Sequence, residues 1–262
     1  MTRKIVDFHA HAFHDKIATK AAQNLNTYYG IPLAGDGSFG VLLENAQKSG
    51  VDKLVIHATA TKASQVETIN DYVAGLITKD IIGFGTIHPD YPDYAKELAR
   101  LKGMGLRGIK LHPIFQGFAV DAPAMIPIYR EMARLALPLL VHMGDRTNDG
   151  ATPKRLAKVM DLVPELLVVA PHLGGVYEWD KAQKYLYGRK NLYLDTSSAI
   201  RFMSPEEATE LICAHGVDYV LFGTDYPLSL YDYELSLIDK LLLSEKEKEK
   251  ILWKNAYRLL GL

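Results

Sequence analysis

The sequence predicts an α/β protein: a single-domain (β/α)8 (TIM) barrel over 1–262, with its chemistry at the C-terminal ends of the strands. Three observations predict it. Eight short apolar runs recur along the chain, separated by segments of helical period. The runs are apolar throughout rather than alternating, as in strands buried on both faces. The chain has 262 residues, and a barrel of this kind takes about 250. An open doubly wound sheet is the competing architecture. It would bind a nucleotide at a Gly-rich first turn, and the first run carries no G-x-G-x-x-G.

The runs lie at residues 4–9, 53–57, 81–87, 106–112, 137–142, 166–172, 191–196 and 219–224, mostly too short for helices and rich in Val, Ile, Leu and Tyr. The first connection, 12–36, is long and carries Tyr28-Tyr29-Gly30. It reads either as a lid over the pocket or as a surface insertion with its own short helix. The spacing predicts helices over 40–49, closed by Gly50, and over 64–77, 94–102, 124–136 and 153–162. Ser204-Pro205-Glu206-Glu207 opens another, with an N-cap, a proline in the first turn and acidic residues facing the helix dipole. Residues 243–262 read as a pair of C-terminal helices, with the charge run at 245–250 as a solvated face. Parallel neighbours need crossovers, so the alternation implies a parallel sheet, and eight strands close it into a barrel.

Charges balance, with 30 Lys+Arg against 31 Asp+Glu and a net charge of -1. That provides no field for gathering nucleic acid or an anionic membrane. A chain 48% hydrophobic and 23% charged is neither disordered nor a coiled coil. No apolar run approaches the roughly 20 residues of a membrane span. The polar motif that follows Met1 so closely is expected to leave no room for a signal peptide. The single cysteine, Cys213, cannot form an internal disulfide, so a cytoplasmic location is expected. Cys213 falls in a helical pattern and reads as a small buried apolar residue. The expected partner is a small-molecule substrate, with a homodimer as an allowed assembly.

Asp7-Phe8-His9-Ala10-His11 ends the first run, and a period of two puts His9 and His11 on one face. The fifth run ends at His142, the sixth at His172, and the eighth leads to Asp225. A barrel brings all these ends to one rim. Four imidazoles and a carboxylate without partners would be costly to bury there. A divalent metal removes that cost, since neutral imidazole and ionised carboxylate are its ligands. The residues alone do not separate His142 from His172 as the ligand.

D-F-H-A-H at 7–11, G-I-K-L-H-P at 108–113, V-H at 141–142, P-H-L-G-G at 171–175 and F-G-T-D-Y-P at 222–227 together resemble the amidohydrolase superfamily. Within it they resemble the branch of metal-dependent barrel enzymes that includes aminocarboxymuconate-semialdehyde decarboxylase and related non-oxidative decarboxylases. Lys254-Asn255-Ala256 before Leu259-Leu260-Gly261 is similar to that branch's terminal helix. The resemblance implies one divalent metal, usually zinc with manganese as the other choice, held by His9, His11, His142 and Asp225. It implies that His172 handles protons beside the metal. Lys110 stands where two-metal relatives carry a carboxylated bridging lysine; in that scheme His142 and His172 would hold a second ion. The one-metal resemblance favours an unmodified Lys110 that salt-bridges inside the barrel or holds a substrate carboxylate.

His112 ends the fourth run before Pro113 and faces the mouth, either as a substrate contact or as a structural hydrogen-bonding residue. Arg146 and Arg201 follow runs five and seven, where each either clamps a carboxylate or lies on the surface. Phe115, Phe118 and Tyr226 are candidate walls for a ring. His57 and His88 end the second and third runs, where they read as satisfied structural histidines with a role at the rim as the alternative, and His215 reads as a helix-terminus residue. The leading functional reading is a metal-dependent hydrolase of a small carboxylated substrate, in which metal-bound water loses its proton to Asp225 and His172 assists. Non-oxidative decarboxylation at the same site is the second reading. A barrel that has lost catalysis and only binds is the third; it predicts missing ligands, and none is missing.

Overall fold

The eight apolar runs become parallel strands β1 (Val6–His11), β2 (Lys53–His57), β3 (Ile81–Phe84), β4 (Ile109–Leu111), β5 (Leu139–Val141), β6 (Val168–Ala170), β7 (Leu192–Asp195) and β8 (Val220–Leu221) in the computed structural model. The structure describes residues 3–262; Met1 and Thr2, where the reading against a signal peptide begins, lie outside the described residues. Strand β1 reaches two residues beyond its expected end, because Ala10 and His11 pair with Ile56 and His57 of β2. Regular pairing runs β1-β2-β3 and β4-β5-β6-β7-β8. Single bridges join these into a ring, Gly85 to Ile109 on one side and Ala10 to Tyr226 on the other. At the second seam Phe8 N–H donates to the Phe222 carbonyl at 2.9 Å, and Asp225 N–H to the His9 carbonyl at 2.8 Å. Closure leaves no sheet edge.

Asp7 tightens that seam. Its Oδ1 accepts from His9 N–H at 2.9 Å and Thr224 N–H at 3.1 Å. Its Oδ2 accepts from the hydroxyls of Thr224 at 2.7 Å and Tyr231 at 3.0 Å. Burial pushes this carboxyl up to about 7 against the pull of those four bonds.

Inside the ring, Val6, Phe8, Val55, Phe84, Leu140, Val169, Tyr193 and Leu221 pack as one cluster. Alternate residues of the same strands join the larger cluster under the helices. This two-sided burial is why the runs read apolar throughout. Since side chains alternate, the next inward position after Val55 is His57, after Leu140 His142, and after Tyr193 Asp195. The interior therefore turns from apolar to titratable in one step at its C-terminal end.

The helices are α1 (Ala18–Tyr29), α2 (Phe39–Lys48), α3 (Val66–Gly75), α4 (Tyr94–Gly103), α5 (Pro113–Gln116), α6 (Met125–Arg134), α7 (Pro153–Leu162), α8 (Trp179–Tyr185), α9 (Pro205–His215) and α10 (Tyr231–Lys240). Among the described residues no helix is long and apolar enough to cross a membrane. The expected start of α9 is a capping box: Ser204 Oγ accepts from Glu207 N–H, and the Glu207 carboxylate accepts from Ser204 N–H. Helices α1, α8 and α10, which the spacing does not predict, start without a side-chain cap; α8 and α10 carry only acidic residues in the first turn as a start signal.

Three expectations need correction. The C-terminal segment is one continuous run, α11 (Glu245–Glu249), a π-helical turn Lys250–Lys254 and α12 (Asn255–Leu260). It stays continuous because it is bolted under β8: Ile251 O accepts from Phe222 N–H, and Asn255 Nδ2 donates to the Val217 and Val220 carbonyls. Its charge run is not uniformly solvated, since Lys248 is buried and Nζ donates to the Asp239 carbonyl at 2.8 Å. Cys213 is exposed, on the outward face of α9.

Two stability predictions follow from this packing. Gly144 has φ +82°, and a Cβ there would stand 2.4 Å from the Val176 carbonyl oxygen and 2.5 Å from its nitrogen. Gly144→Ala should cost about 2–4 kcal/mol in denaturant unfolding; a loss under about 0.5 kcal/mol would mean that the two backbones are free to separate. Glu234 on α10 is fully buried with neither carboxylate oxygen hydrogen-bonded, and burial pushes it up to about 8. The native state thus holds a proton that the unfolded chain releases near pH 4.5, so this group's contribution falls as pH rises from there to about 8. Glu234→Gln should flatten that decline and exceed the wild type in unfolding midpoint at pH 9; equal midpoints at pH 6 and pH 9 in both proteins would contradict it.

Candidate metal centre

The strand ends bring His9, His11, His57, Lys110, His112, His142, Asp195 and Asp225 to the barrel rim, each buried. His9 is the hinge of the group. Its Nδ1–H donates to Asp195 Oδ2 at 2.8 Å, which turns Nε2, with its lone pair, inward. That nitrogen lies 3.4 Å from Asp225 Oδ1 and accepts from Lys110 Nζ at 2.9 Å. His11 Nε2 reaches the same Asp225 oxygen at 3.3 Å. The period-of-two expectation for β1 thus holds at the level of atoms. One nitrogen from each of His9, His11 and His57 lies within 4.8 Å of the other two.

Burial sets the charges. It lowers His9 to about 4, with Lys110 adding to the shift. It also pushes His57, His112 and His142 well below the ordinary imidazole range. These rings are neutral at physiological pH, the state in which imidazole binds a metal. Burial would push Asp225 up, but His9, His11 and His172 outweigh it and hold the carboxyl well below its usual range. Lys110, fully buried, is pushed down to about 8 by burial although Asp225 and Asp195 favour its ammonium.

His142 and His172 meet on the far side. His172 Nδ1–H donates to the Ser197 carbonyl at 2.8 Å, and His142 Nε2–H to the Gly144 carbonyl at 3.0 Å. These carbonyls assign the tautomers. His142 Nδ1 and His172 Nε2 are then both lone pairs, and they face each other at 3.2 Å. Two lone pairs at that distance call for a positive charge beside them, which a metal ion on His142 or a proton on His172 supplies, so the neutral imidazoles and the ionised Asp225 fit a bound metal ion with His172 next to it. His172, Leu173 and Asp225 hold left-handed backbone, with φ of 59°, 52° and 59°. Such conformations cost about 1–3 kcal/mol each and collect at functional sites.

The first connection forms the roof. Helix α1 lays Tyr29 over the mouth, where its oxygen accepts from His112 Nε2–H at 3.0 Å and lies 3.3 Å from His142 Nε2. His112 is fixed on both faces, stacked on His142 at 4.0 Å and on Phe115 at 4.0 Å. A small cavity of about 30 Å³ remains beneath this roof, lined by Tyr29, Tyr177, His112, His142, His172 and Asp225, with Leu25, Val176 and Leu228 as apolar walls. Lys110 lies beneath the cavity rather than in its lining. Arg146 and Arg201 are not in the lining either: Arg146 stacks on Tyr177 at 4.1 Å, and Arg201 donates to the Leu228 carbonyl and lies over Tyr233. Of the expected ring walls, Phe115 packs behind His112, while Tyr226 turns away to Asp36 and Ser38.

Sequence reasoning missed Asp195 and Gln116. Asp195 orients His9, and its Oδ1 also accepts from the Ser197 hydroxyl and from the backbone of Ser197 and His172. Its signal was an acid closing an apolar run. Gln116 on α5 accepts from His112 N–H and donates to the Ala60 and Ile87 carbonyls, which pins the fourth strand end to its neighbours. His57 was read as a satisfied structural histidine, yet neither of its ring nitrogens has a hydrogen-bond partner.

No curated protein matches the chain. Solved structures do, over nearly their full length. The uncharacterised TIM-barrel protein Bb4693 from Bordetella bronchiseptica is 20% identical, with 98% of each chain covered and a TM-score of 0.75. The 5-carboxyvanillate decarboxylase LigW from Sphingomonas paucimobilis is 16% identical, with 100% of each covered and a TM-score of 0.77. A dihydroxybenzoic acid decarboxylase from Polaromonas sp. JS666 is 17% identical, covering 100% of this chain and 98% of that one, with a TM-score of 0.73. The amidohydrolase family profile matches residues 6–262. Sequence profile, barrel and rim chemistry agree, and the chain belongs to the amidohydrolase family.

Proposed function

We propose that the protein is a metal-dependent decarboxylase that removes carbon dioxide from a small aromatic carboxylic acid without oxidation. The observation that carries this reading is the ring-lined cavity over the imidazole–carboxylate group, in a chain that shares its fold end to end with decarboxylases of carboxyvanillate and dihydroxybenzoate. The Polaromonas enzyme holds manganese and 2-nitroresorcinol, a flat ring bearing oxygens. The leading sequence reading was hydrolysis, which needs a base to take a proton from water. Asp225 is poorly suited to that task, because neighbouring imidazoles hold it ionised and its Oδ2 already accepts from Ser198.

His9, His11, His142 and Asp225 would hold the divalent ion. The ion would supply a fixed positive charge for the oxygens of the substrate. Decarboxylation breaks the bond between ring carbon and carboxylate, releases carbon dioxide and leaves an electron pair that must be protonated. His172 Nε2, the free lone pair at the cavity wall, would take up a proton and deliver it to that carbon, while the Ser197 carbonyl fixes the ring through Nδ1–H. His112, clamped between two rings with Nε2–H held by the Tyr29 hydroxyl, would orient a substrate oxygen that takes the place of that hydroxyl. The apolar walls exclude water and so favour the loss of a neutral gas from a charged group.

The test is turnover of 2,6-dihydroxybenzoate and 5-carboxyvanillate by manganese- or zinc-loaded protein in D2O. Carbon dioxide and one deuterium on the product ring are expected for a substrate. Cleavage of an ester or lactone with no carbon dioxide would restore the hydrolase reading. His172→Ala should lower kcat by about 10²–10⁴ with metal content unchanged; loss of metal in that variant would place His172 among the ligands instead.

A further inference from the structure

The metal centre described above leaves one imidazole unused. His57 ends β2 with 0% exposure, and neither of its ring nitrogens has a partner. Its neighbours are all held: His9 by Asp195, His112 by the Phe115 amide, His142 by Gly144 and His172 by Ser197. A neutral imidazole carries one N–H and one lone pair, so an unpartnered buried ring wastes both.

The surroundings of His57 point to a different partner. Strand pairing sets it directly beside His11. The two rings stand edge to face, 4.4 Å apart at 85°, and the His9 ring stands 5.0 Å away at 65°. The 4.8 Å limit on their nitrogen separations is close to what one ion requires. Two nitrogens bound to a tetrahedral ion at about 2.1 Å stand about 3.4 Å apart, a gap that side-chain rotation closes.

We propose that His57 is a metal ligand supplied by β2, a donor beyond the four that the family resemblance implies. The assignment rests on the metal-centre reading above. It raises the protein donors to five, His9, His11, His57, His142 and Asp225. A four-coordinate zinc ion cannot use that set. A six-coordinate ion such as manganese can, and it retains one position for substrate.

Chelator-stripped full-length protein provides the test, with Mn(II) or Zn(II) alone as the probe, in the wild type, His57→Leu and His57→Gln. Mn(II) affinity should fall roughly 10–100-fold in both variants. Pulsed EPR of Mn(II)-loaded His57→Gln should count one imidazole nitrogen fewer. The metal-free thermal midpoint of His57→Leu should equal or exceed that of the wild type, because an unsatisfied polar group has been removed. Affinity within about twofold of wild type in a folded variant, or an unchanged nitrogen count, overturns the assignment and leaves the metal centre standing. A lowered metal-free midpoint with unchanged affinity, the mark of a structural histidine, overturns it too. If the wild type binds neither ion, the metal centre itself falls and His57 with it.

Discussion

Imidazoles and carboxylates buried together cannot all keep their ordinary charge states, and the rim of this barrel is organised around that constraint. Desolvation takes His9 down to about 4 and Lys110 down to about 8, while the surrounding imidazoles keep Asp225 ionised. Neutral rings and one carboxylate around a shared point make a site for a cation. The Lys110 ammonium meets part of that demand, 2.9 Å from His9 Nε2. A divalent ion at the same nitrogen would compete with that like charge and so would favour loss of the lysine proton. Positioning comes from outside the group: Asp195 and two backbone carbonyls set the ring tautomers, and the Asp7 seam fixes where β1 meets β8.

Much of this was legible because a barrel converts strand ends into one place. His9, His11, His142, His172 and Asp225 are separated widely in sequence, yet each terminates an apolar run, and that alone predicts their convergence. The step from Val55 to His57 and from Tyr193 to Asp195 obeys the same period of two. Asp195 escapes notice, and His57 reads as structural, because each run offers a single titratable residue with no partner nearby in sequence. Helix α1 has no side-chain cap at its start, so where it begins rests on tertiary burial of Ala18, Ala22 and Leu25, although Gly30 closes its end. Cys213 and Lys248 show the reverse failure, where residue type suggested one environment and the turn of a helix imposed the other.

Conformational cost is concentrated where the chemistry is. Left-handed backbone at His172, Leu173 and Asp225 lies within the rim, and cooperative hydrogen bonding holds it there. Asp225 N–H is tied to the His9 carbonyl and His172 N–H to Asp195, so the same strands that supply the side chains hold the unfavourable torsions in place. Repacking the rim is therefore coupled to closing the barrel.

The roof is built differently from the floor. Leu25 and Tyr29 reach the cavity from α1, a single amphipathic helix outside the β/α repeat, and Tyr28 packs beside Tyr29 on the same helix. The imidazoles below sit in or directly after strands that pack in the barrel core. Drift in α1 can thus reshape what the cavity admits without disturbing cation capture, and the evolutionary history of substrate choice in this lineage should be written there rather than in the strands.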